Sequence, residues 1–483
     1  MIFILYLNTI VNMKNDAVSG YINSQLKEQA SQLCIYTKDS SGADYPKRFL
    51  FTKFQAYIER FLQGDEEVRW IVVPGLRGVG KTTILAQLFT LFRNIFENPI
   101  LYISLDDVTF KLKSNLFEVL TTFEEILGES FSNLTKPVLL LIDEVHYDPE
   151  WQFALKSLYD KSRNVFVICT GSSAIPLNIS TDIVRRAQIE KLCPLQFSEY
   201  AMLTKSKPLL DLGEILWENP QQLFSDLKKY SNQILKVWQD FDKFEILNFL
   251  KYYTLPSTIR IKDKERTFLI IKQITERIIY TDIANLKEFS KSVMGSIQTI
   301  LYILASSDTI SLTNLSENLV GLNIRTVASI LDVLEKSELI IKFLPYSTTV
   351  NRKIRKPAKY LFESPTIRAG LLHSVDASLL DQKYKGKFLE DYVGSYLFQK
   401  YGNRIGCQVT YDSAENGADF IVEKGDKKFV IETGWNKKND IQIKNTMKKI
   451  QGDYGILITN QPLSLNEEKD IITIPLDTFF LLM

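Results

Sequence analysis

The sequence predicts an α/β fold, and three observations carry that prediction. Gly75-Leu76-Arg77-Gly78-Val79-Gly80-Lys81-Thr82 matches G-x-x-x-x-G-K-[ST], the phosphate-binding P-loop or Walker A pattern. Residues 69–73 before it are apolar and β-branched, and residues 83–89 after it are apolar at helical spacing. Three further apolar runs, residues 100–105, 137–142 and 165–170, read as strands of a parallel sheet buried on both faces.

Strand, glycine loop and helix form the context the motif requires. Glycines let successive N–H groups turn toward one anion, and the helix N-terminus adds its positive end. Gly75, Gly78, Val79, Gly80 and Thr83 are therefore expected to line a nucleotide's phosphates. Lys81 is placed to reach the β- and γ-phosphates, and the Thr82 hydroxyl to take a position on Mg²⁺. The expected cofactors are ATP and Mg²⁺.

A P-loop needs a second carboxylate for magnesium and one to polarise water. The run 137–142 ends in Asp143-Glu144, about sixty residues beyond the P-loop, a Walker B arrangement. Asp143 is assigned to the metal and Glu144 to the attacking water. Run 100–105 ends in Asp106-Asp107, and run 165–170 in Gly171-Ser172-Ser173. Polar groups at the carboxyl ends of such strands face the ligand crevice, which makes Ser172 or Thr170 a candidate γ-phosphate sensor. Arg185 and Arg186 are candidates for an arginine finger, in cis or from a neighbouring subunit. His146 lies just past Glu144 and is a weaker catalytic candidate.

Composition narrows the alternatives. The chain has 483 residues, 45% hydrophobic and 24% charged, enough for several cores at roughly 150 residues per domain. A net charge of +1 excludes a global field of nucleic-acid-binding type, so any basic surface is local. Four cysteines without a C-x-x-C pair argue against a zinc site or a disulfide framework, and two histidines against histidine-based metal or triad chemistry. The apolar start, Met1 to Leu7, is too short to span a bilayer and lacks a basic region or cleavage site. Met13 to Asp16 looks like a more ordinary start, which makes residues 1–12 a candidate start-site artefact. A cytoplasmic protein without a membrane partner is expected.

The series Gly75 to Thr83, Ile103 to Asp107, Leu141 to Val145, Trp151, Thr170-Gly171-Ser172-Ser173 and Pro194-Leu195-Gln196-Phe197-Ser198-Glu199-Tyr200 resembles the prokaryotic AAA-type ATPases that carry a C-terminal DUF4143 domain. The resemblance covers residues 45–205 well and the remainder more loosely. It implies an ATPase core over 45–205, preceded by a segment 1–44 and followed by C-terminal modules; Leu, Lys and Asp at helical spacing predict a helical lid or linker over 206–290.

Residues 291–350 predict a winged helix-turn-helix. Residues 296–305 form an apolar helix, and Ser311 caps a short second helix. Gly321 and Asn323 make the turn, and a third helix over 324–336 turns Val327, Ile330, Leu331 and Leu334 inward. A strand follows over 338–344. A DNA-reading helix presents outward residues at its N-terminal end, here Arg325, Thr326 and Ser329. Arg352 and Lys353, in a run of four cations, are candidates to track phosphates of double-stranded DNA.

Residues 351–483 resemble the PD-(D/E)xK nuclease core, with Glu390 on a helix, Asp419 at a strand and Glu432 on the next. The resemblance implies a second metal site at Glu390, Asp419 and Glu432. The pattern's lysine is absent, since position 434 is Gly; Lys437 or Lys438 is a candidate substitute. Three function classes follow: a nucleotide-switched, DNA-associated regulatory ATPase, an ATP-dependent nuclease of a defence or mobile-element system, and a signalling ATPase that binds only protein partners. A homo-oligomer is compatible with each.

Overall fold

A computed structural model describes residues 2–172, 179–205, 219–307, 309–319, 321–348, 356–375, 383–402 and 404–482. The chain divides into two compact units, Met1–Cys193 and Pro194–Met483.

The first unit is built on five parallel strands, β1 (Trp70–Pro74), β2 (Leu101–Ser104), β3 (Val138–Asp143), β4 (Val165–Gly171) and β5 (Gln188–Ile189), in the order β2-β3-β4-β1-β5. Every residue of β1, β3 and β4 is buried, as their unbroken apolar runs require. Trp70 and Trp151 meet edge to face at 6.3 Å within the core that Val72, Leu140 and Ile142 share. β4 lies between β1 and β3, so Thr170, paired with Val73, stands beside the end of β3.

Helix α1 (Ile2–Thr37) belongs to this unit. Val18 and Ile22 enter the same core. The Gln29 amide donates to the Ile100 carbonyl at 2.8 Å and accepts from Tyr102 N–H at 3.1 Å, so it occupies main-chain groups along edge strand β2. The segment 1–44 thus packs with the sheet from Val18 onward. Among the described residues, no helix is long and apolar enough to cross a membrane.

In the second unit, helix Phe197–Lys205 sets Phe197 in an aromatic cluster, 5.0 Å from Trp238, 5.2 Å from Phe249 and 5.7 Å from Phe480. The Tyr392 hydroxyl accepts from Phe197 N–H at 2.9 Å. The Phe-Ser-Glu-Tyr motif, read with the ATPase core, therefore lies past the division at Cys193 and packs in the second unit.

Three helices, α2 (Lys291–Ser306), α3 (Leu312–Glu317) and α4 (Ile324–Lys336), are each capped by a side chain: Ser290, Ser311 and Asn323 accept main-chain N–H bonds. Val327, Ile330, Leu331 and Leu334 are buried, as their spacing predicts. Two strands beside these helices escaped the sequence reading. β6 (Thr309–Ile310) and β8 (Ala358–Phe362) pair antiparallel, and β7 (Ile340–Pro345) flanks β8 on its other side. β7 then pairs parallel with β9 (Cys407–Tyr411). The sheet continues through β10 (Phe420–Lys424), β11 (Lys427–Gly434), β12 (Tyr454–Thr459), β13 (Ser464–Asn466) and β14 (Ile471–Pro475). Its nine strands run β13-β14-β12-β11-β10-β9-β7-β8-β6. Helix α5 (Lys385–Leu397) carries Glu390 and packs on β8 and β11.

Candidate functional site

The P-loop connects β1 to helix Lys81–Phe92. Gly78 and Gly80 take φ of 89° and 95°, conformations that glycine adopts without strain. Gly75 lies so close to the segment that follows β5 that an added Cβ would meet the Leu192 carbonyl oxygen at 2.4 Å. Arg48 braces the loop, donating to Val79 O at 2.8 Å and to Cys193 O at 3.0 Å. No side chain caps this helix N-terminus, so its first N–H groups are suited to an anion. The buried Lys81 ammonium donates to Gly75 O at 2.9 Å and to Leu76 O at 3.4 Å, within the loop it serves.

Thr82 and Asp143 come together as the motifs predict: Thr82 Oγ1 donates to Asp143 Oδ2 at 2.6 Å. Thr170 Oγ1 donates to the other carboxylate oxygen, and the Tyr102 hydroxyl approaches Oδ2 at 3.3 Å. Burial, and then the Glu144 charge, hold the Asp143 carboxyl above the usual carboxylate range. The donor set is oxygen only and lies beside the phosphate loop, which fits a small hard divalent cation. Sequence reasoning offered Ser172 or Thr170 as a γ-phosphate sensor; the Thr170 hydroxyl donates to Asp143 and accepts from Glu144 N–H at 3.3 Å.

Glu144 sits at φ 54°, in the left-handed region that turns the chain sharply off the strand end. Its Oε2 lies 3.3 Å from His146 Nδ1, and Ser172 N–H donates to the same nitrogen at 3.3 Å. His146 therefore links the ends of β3 and β4. Asp106, at the end of β2, is occupied locally, accepting from Ser104 Oγ and Asp107 N–H. Of the two arginines, Arg185 is exposed. Arg186 forms a fork on Asp160, at 2.8 and 3.0 Å, and holds one helix against another.

In the second unit, Glu390, Asp419 and Lys438 face one cavity of about 640 Å³ together with Lys359, and Glu432 lies buried beneath it. Asp419 accepts from Thr433 N–H at 2.9 Å and from its hydroxyl at 2.7 Å, and donates its own N–H to Glu432 Oε2 at 3.0 Å. Lys359, buried on β8, pairs with Glu390 and lies 3.5 Å from Asp419 Oδ1. Lys438 pairs with Glu432 and donates to Thr433 O at 3.0 Å. A Cβ at Gly434 would meet Lys438 Cδ at 2.9 Å, so the glycine makes room for a lysine arriving from four residues on. Burial and then the Asp419 charge push the Glu432 carboxyl up to about 8. Burial works against the Asp419 charge too, but Lys359, Lys438 and the Thr433 bonds outweigh it and hold that carboxyl below its ordinary range. The three carboxylates expected to bind metal are thus interleaved with ammonium groups. Among the described residues, no group of three His, Cys, Asp or Glu side chains is arranged to hold a metal ion.

Of the residues expected to contact DNA, Arg325 is exposed at the start of α4. The Thr326 hydroxyl donates to Asn323 Oδ1 in the helix cap, and Ser329 accepts from Lys287. Arg352 and Lys353 lie outside the described residues.

The P-loop, the paired carboxylates at the end of β3 and the parallel sheet define an AAA-type P-loop ATPase domain, and an AAA domain model (AAA_14) matches residues 67–201. The chain belongs to the same family as the uncharacterized protein MJ1637 of Methanocaldococcus jannaschii. The two are 32% identical over 471 residues, which is 96% of this chain and 94% of the relative. A second protein of that organism, the uncharacterized protein MJ1544, is 24% identical over 69% of this chain and 68% of its own length. Among solved structures, the chain resembles the Walker-type ATPase paby2304 of Pyrococcus abyssi. That match has 14% identity and a TM-score of 0.39, and covers 70% of this chain and 97% of that one.

Proposed function

We propose that this protein binds and hydrolyses ATP at the P-loop and uses its nucleotide state to change its engagement with double-stranded DNA. The observation that carries the reading is the Thr82–Asp143–Thr170 constellation with Glu144 beside it. Lys81 neutralises the β- and γ-phosphates, and Thr82 and Asp143 hold Mg²⁺, which shields phosphate charge when bound. Glu144 orients the attacking water, and Ser172 reports on the γ-phosphate from the end of β4. Arg185 is the better finger, because Arg186 is committed to Asp160.

The DNA-associated part rests on α2, α3 and α4 followed by the antiparallel β7–β8 pair, with β6 on the outer side, an order that supports a winged-helix reading. Arg325 leads the contact surface; Arg352 and Lys353, outside the described residues, are proposed from the sequence alone to contact phosphates. The C-terminal part reads as a DUF4143-type, PD-(D/E)xK-like domain, supported by Glu390 on a helix and by Asp419 and Glu432 on adjoining strands.

The test is ATP turnover by the full chain, with and without double-stranded DNA, beside Lys81→Ala. Turnover that DNA stimulates and Lys81→Ala abolishes is the expected result. Turnover indifferent to DNA would transfer the switch to a protein partner. Absence of turnover in the parent under both conditions would overturn the ATPase reading.

A further inference from the structure

The lysine at the centre of the C-terminal cavity has no place in the nuclease-like pattern. Lys359 is on β8, between β6 and β7, so its main chain is fixed on both sides. Its side chain is only 8% exposed. The ammonium pairs with Glu390, lies 3.5 Å from Asp419 Oδ1 and donates to Asp419 O at 3.3 Å. It also sits 5.1 Å from the Phe420 ring centre and 5.7 Å from that of Tyr411. These two carboxylates are among the three expected to hold a metal in the nuclease-like reading.

We propose that Lys359 is the resident cation of this cavity, standing where the fold would otherwise seat a divalent metal ion. Three physical arguments support the assignment. A divalent ion such as Mg²⁺ or Ca²⁺ needs at least six oxygen ligands, and Glu390 and Asp419 already give oxygens to Lys359. Expelling Lys359 would leave a buried ammonium without its partners, which is a severe penalty. The ammonium is also tethered: its effective concentration at the site is set by the chain and exceeds that of free ions. The inference rests on the nuclease-like reading of this domain and not on the ATPase reading.

Terbium luminescence tests it, because Tyr411 is near enough to sensitise an ion at the Lys359 position. The full-length parent is titrated with terbium beside Asp419→Asn, a variant that retains an oxygen acceptor for both Thr433 bonds. Emission from the P-loop site is common to both and cancels. Equal emission from the two proteins is expected. Lys359→Gln, checked for folding by circular dichroism, is expected to gain saturable emission that Lys359→Gln/Asp419→Asn lacks. Its midpoint should tighten about tenfold or more, the scale on which a ligand's partner moves metal affinity. Parent emission that disappears in Asp419→Asn overturns the proposal, and so does a folded Lys359→Gln that gains none. Should Lys359→Gln fail to fold, the parent and Asp419→Asn pair decides by itself: equal emission supports the proposal, and lost emission overturns it.

Discussion

Thr82 and Asp143 are 61 residues apart in the chain, yet the Thr82 hydroxyl donates to the Asp143 carboxylate at 2.6 Å. That bond ties the first turn of the P-loop helix to the end of β3 and presets two oxygens for one ion. Thr82→Val removes the hydroxyl and keeps the shape. A charge-assisted bond is worth about 1.5–3 kcal/mol, so turnover should fall about tenfold to a hundredfold at fixed Mg²⁺. Excess Mg²⁺ should recover part of it. A Mg²⁺ titration of turnover superimposable on the parent's would remove Thr82 from the metal site.

Glu144→Gln separates binding from hydrolysis. The amide keeps the contact geometry and cannot accept a proton. Turnover should drop by about 10²–10⁴, and ATP should remain bound on a filter or size-exclusion column. Parent-like turnover would take Glu144 out of the water-orienting role.

Gly75→Ala tests the close approach at the start of the loop. Its Cβ would press on the Leu192 carbonyl oxygen at 2.4 Å, a main-chain atom unable to swing aside. Stability should fall by about 1–3 kcal/mol, the usual cost of overpacking. A calorimetric melt unchanged from the parent would show that the loop yields freely here.

Arg368 and Asp391 form a fully buried fork in the second unit, with Arg368 Nη2 2.7 Å from Asp391 Oδ1 and further bonds to the Leu304 and Ala305 carbonyls. Arg368→Leu leaves Asp391 charged and without its partner, a loss of about 3–5 kcal/mol. Arg368→Met/Asp391→Leu should lose less than the single change. Urea midpoints that rank the other way would assign the cost to packing alone.

Glu432 gives the second unit a pH dependence. Its folded-state value of about 8 lies above its unfolded one, so between roughly pH 4.5 and 8 the folded state holds a proton the unfolded state has released. The associated stability is complete below the unfolded value and is lost as pH rises through the folded value. The slope is at most about 1.4 kcal/mol per pH unit. Glu432→Gln should flatten the melting temperature across pH 5–8; an identical pH profile would contradict the assignment.

Sequence reasoning reached the P-loop site because its chemistry is written in contiguous runs. Glycines, lysine and threonine follow one another, and Asp143 ends an apolar strand. Contacts made across long separations were invisible to it. Arg48 braces the loop from outside any motif. Tyr102 and Thr170 converge on Asp143 from two neighbouring strands, which requires knowing that β4 lies between β1 and β3. In the second unit, Glu390, Asp419 and Glu432 were reached through the resemblance to the PD-(D/E)xK core, and Lys438 was one of two candidates. Lys359 was not reached, since it follows a basic run and a proline and carries no periodic signal of a buried strand. The placement of Phe197 was equally hidden, because its motif adjoins the ATPase strands in sequence but its aromatic partners come from residues 238–480.

The parallel pairing of β7 with β9 carries one last consequence. Leu344 pairs with Thr410 and Pro345 with Tyr411, and Tyr346 N–H donates to Tyr411 O at 2.8 Å. These main-chain bonds splice the three-helix module to the carboxylate cavity through a single sheet. α4 packs on β7, and β7 pairs with β9, so a displacement of β7 is transmitted through main-chain bonds to the strand that sets Tyr411 in the cavity wall.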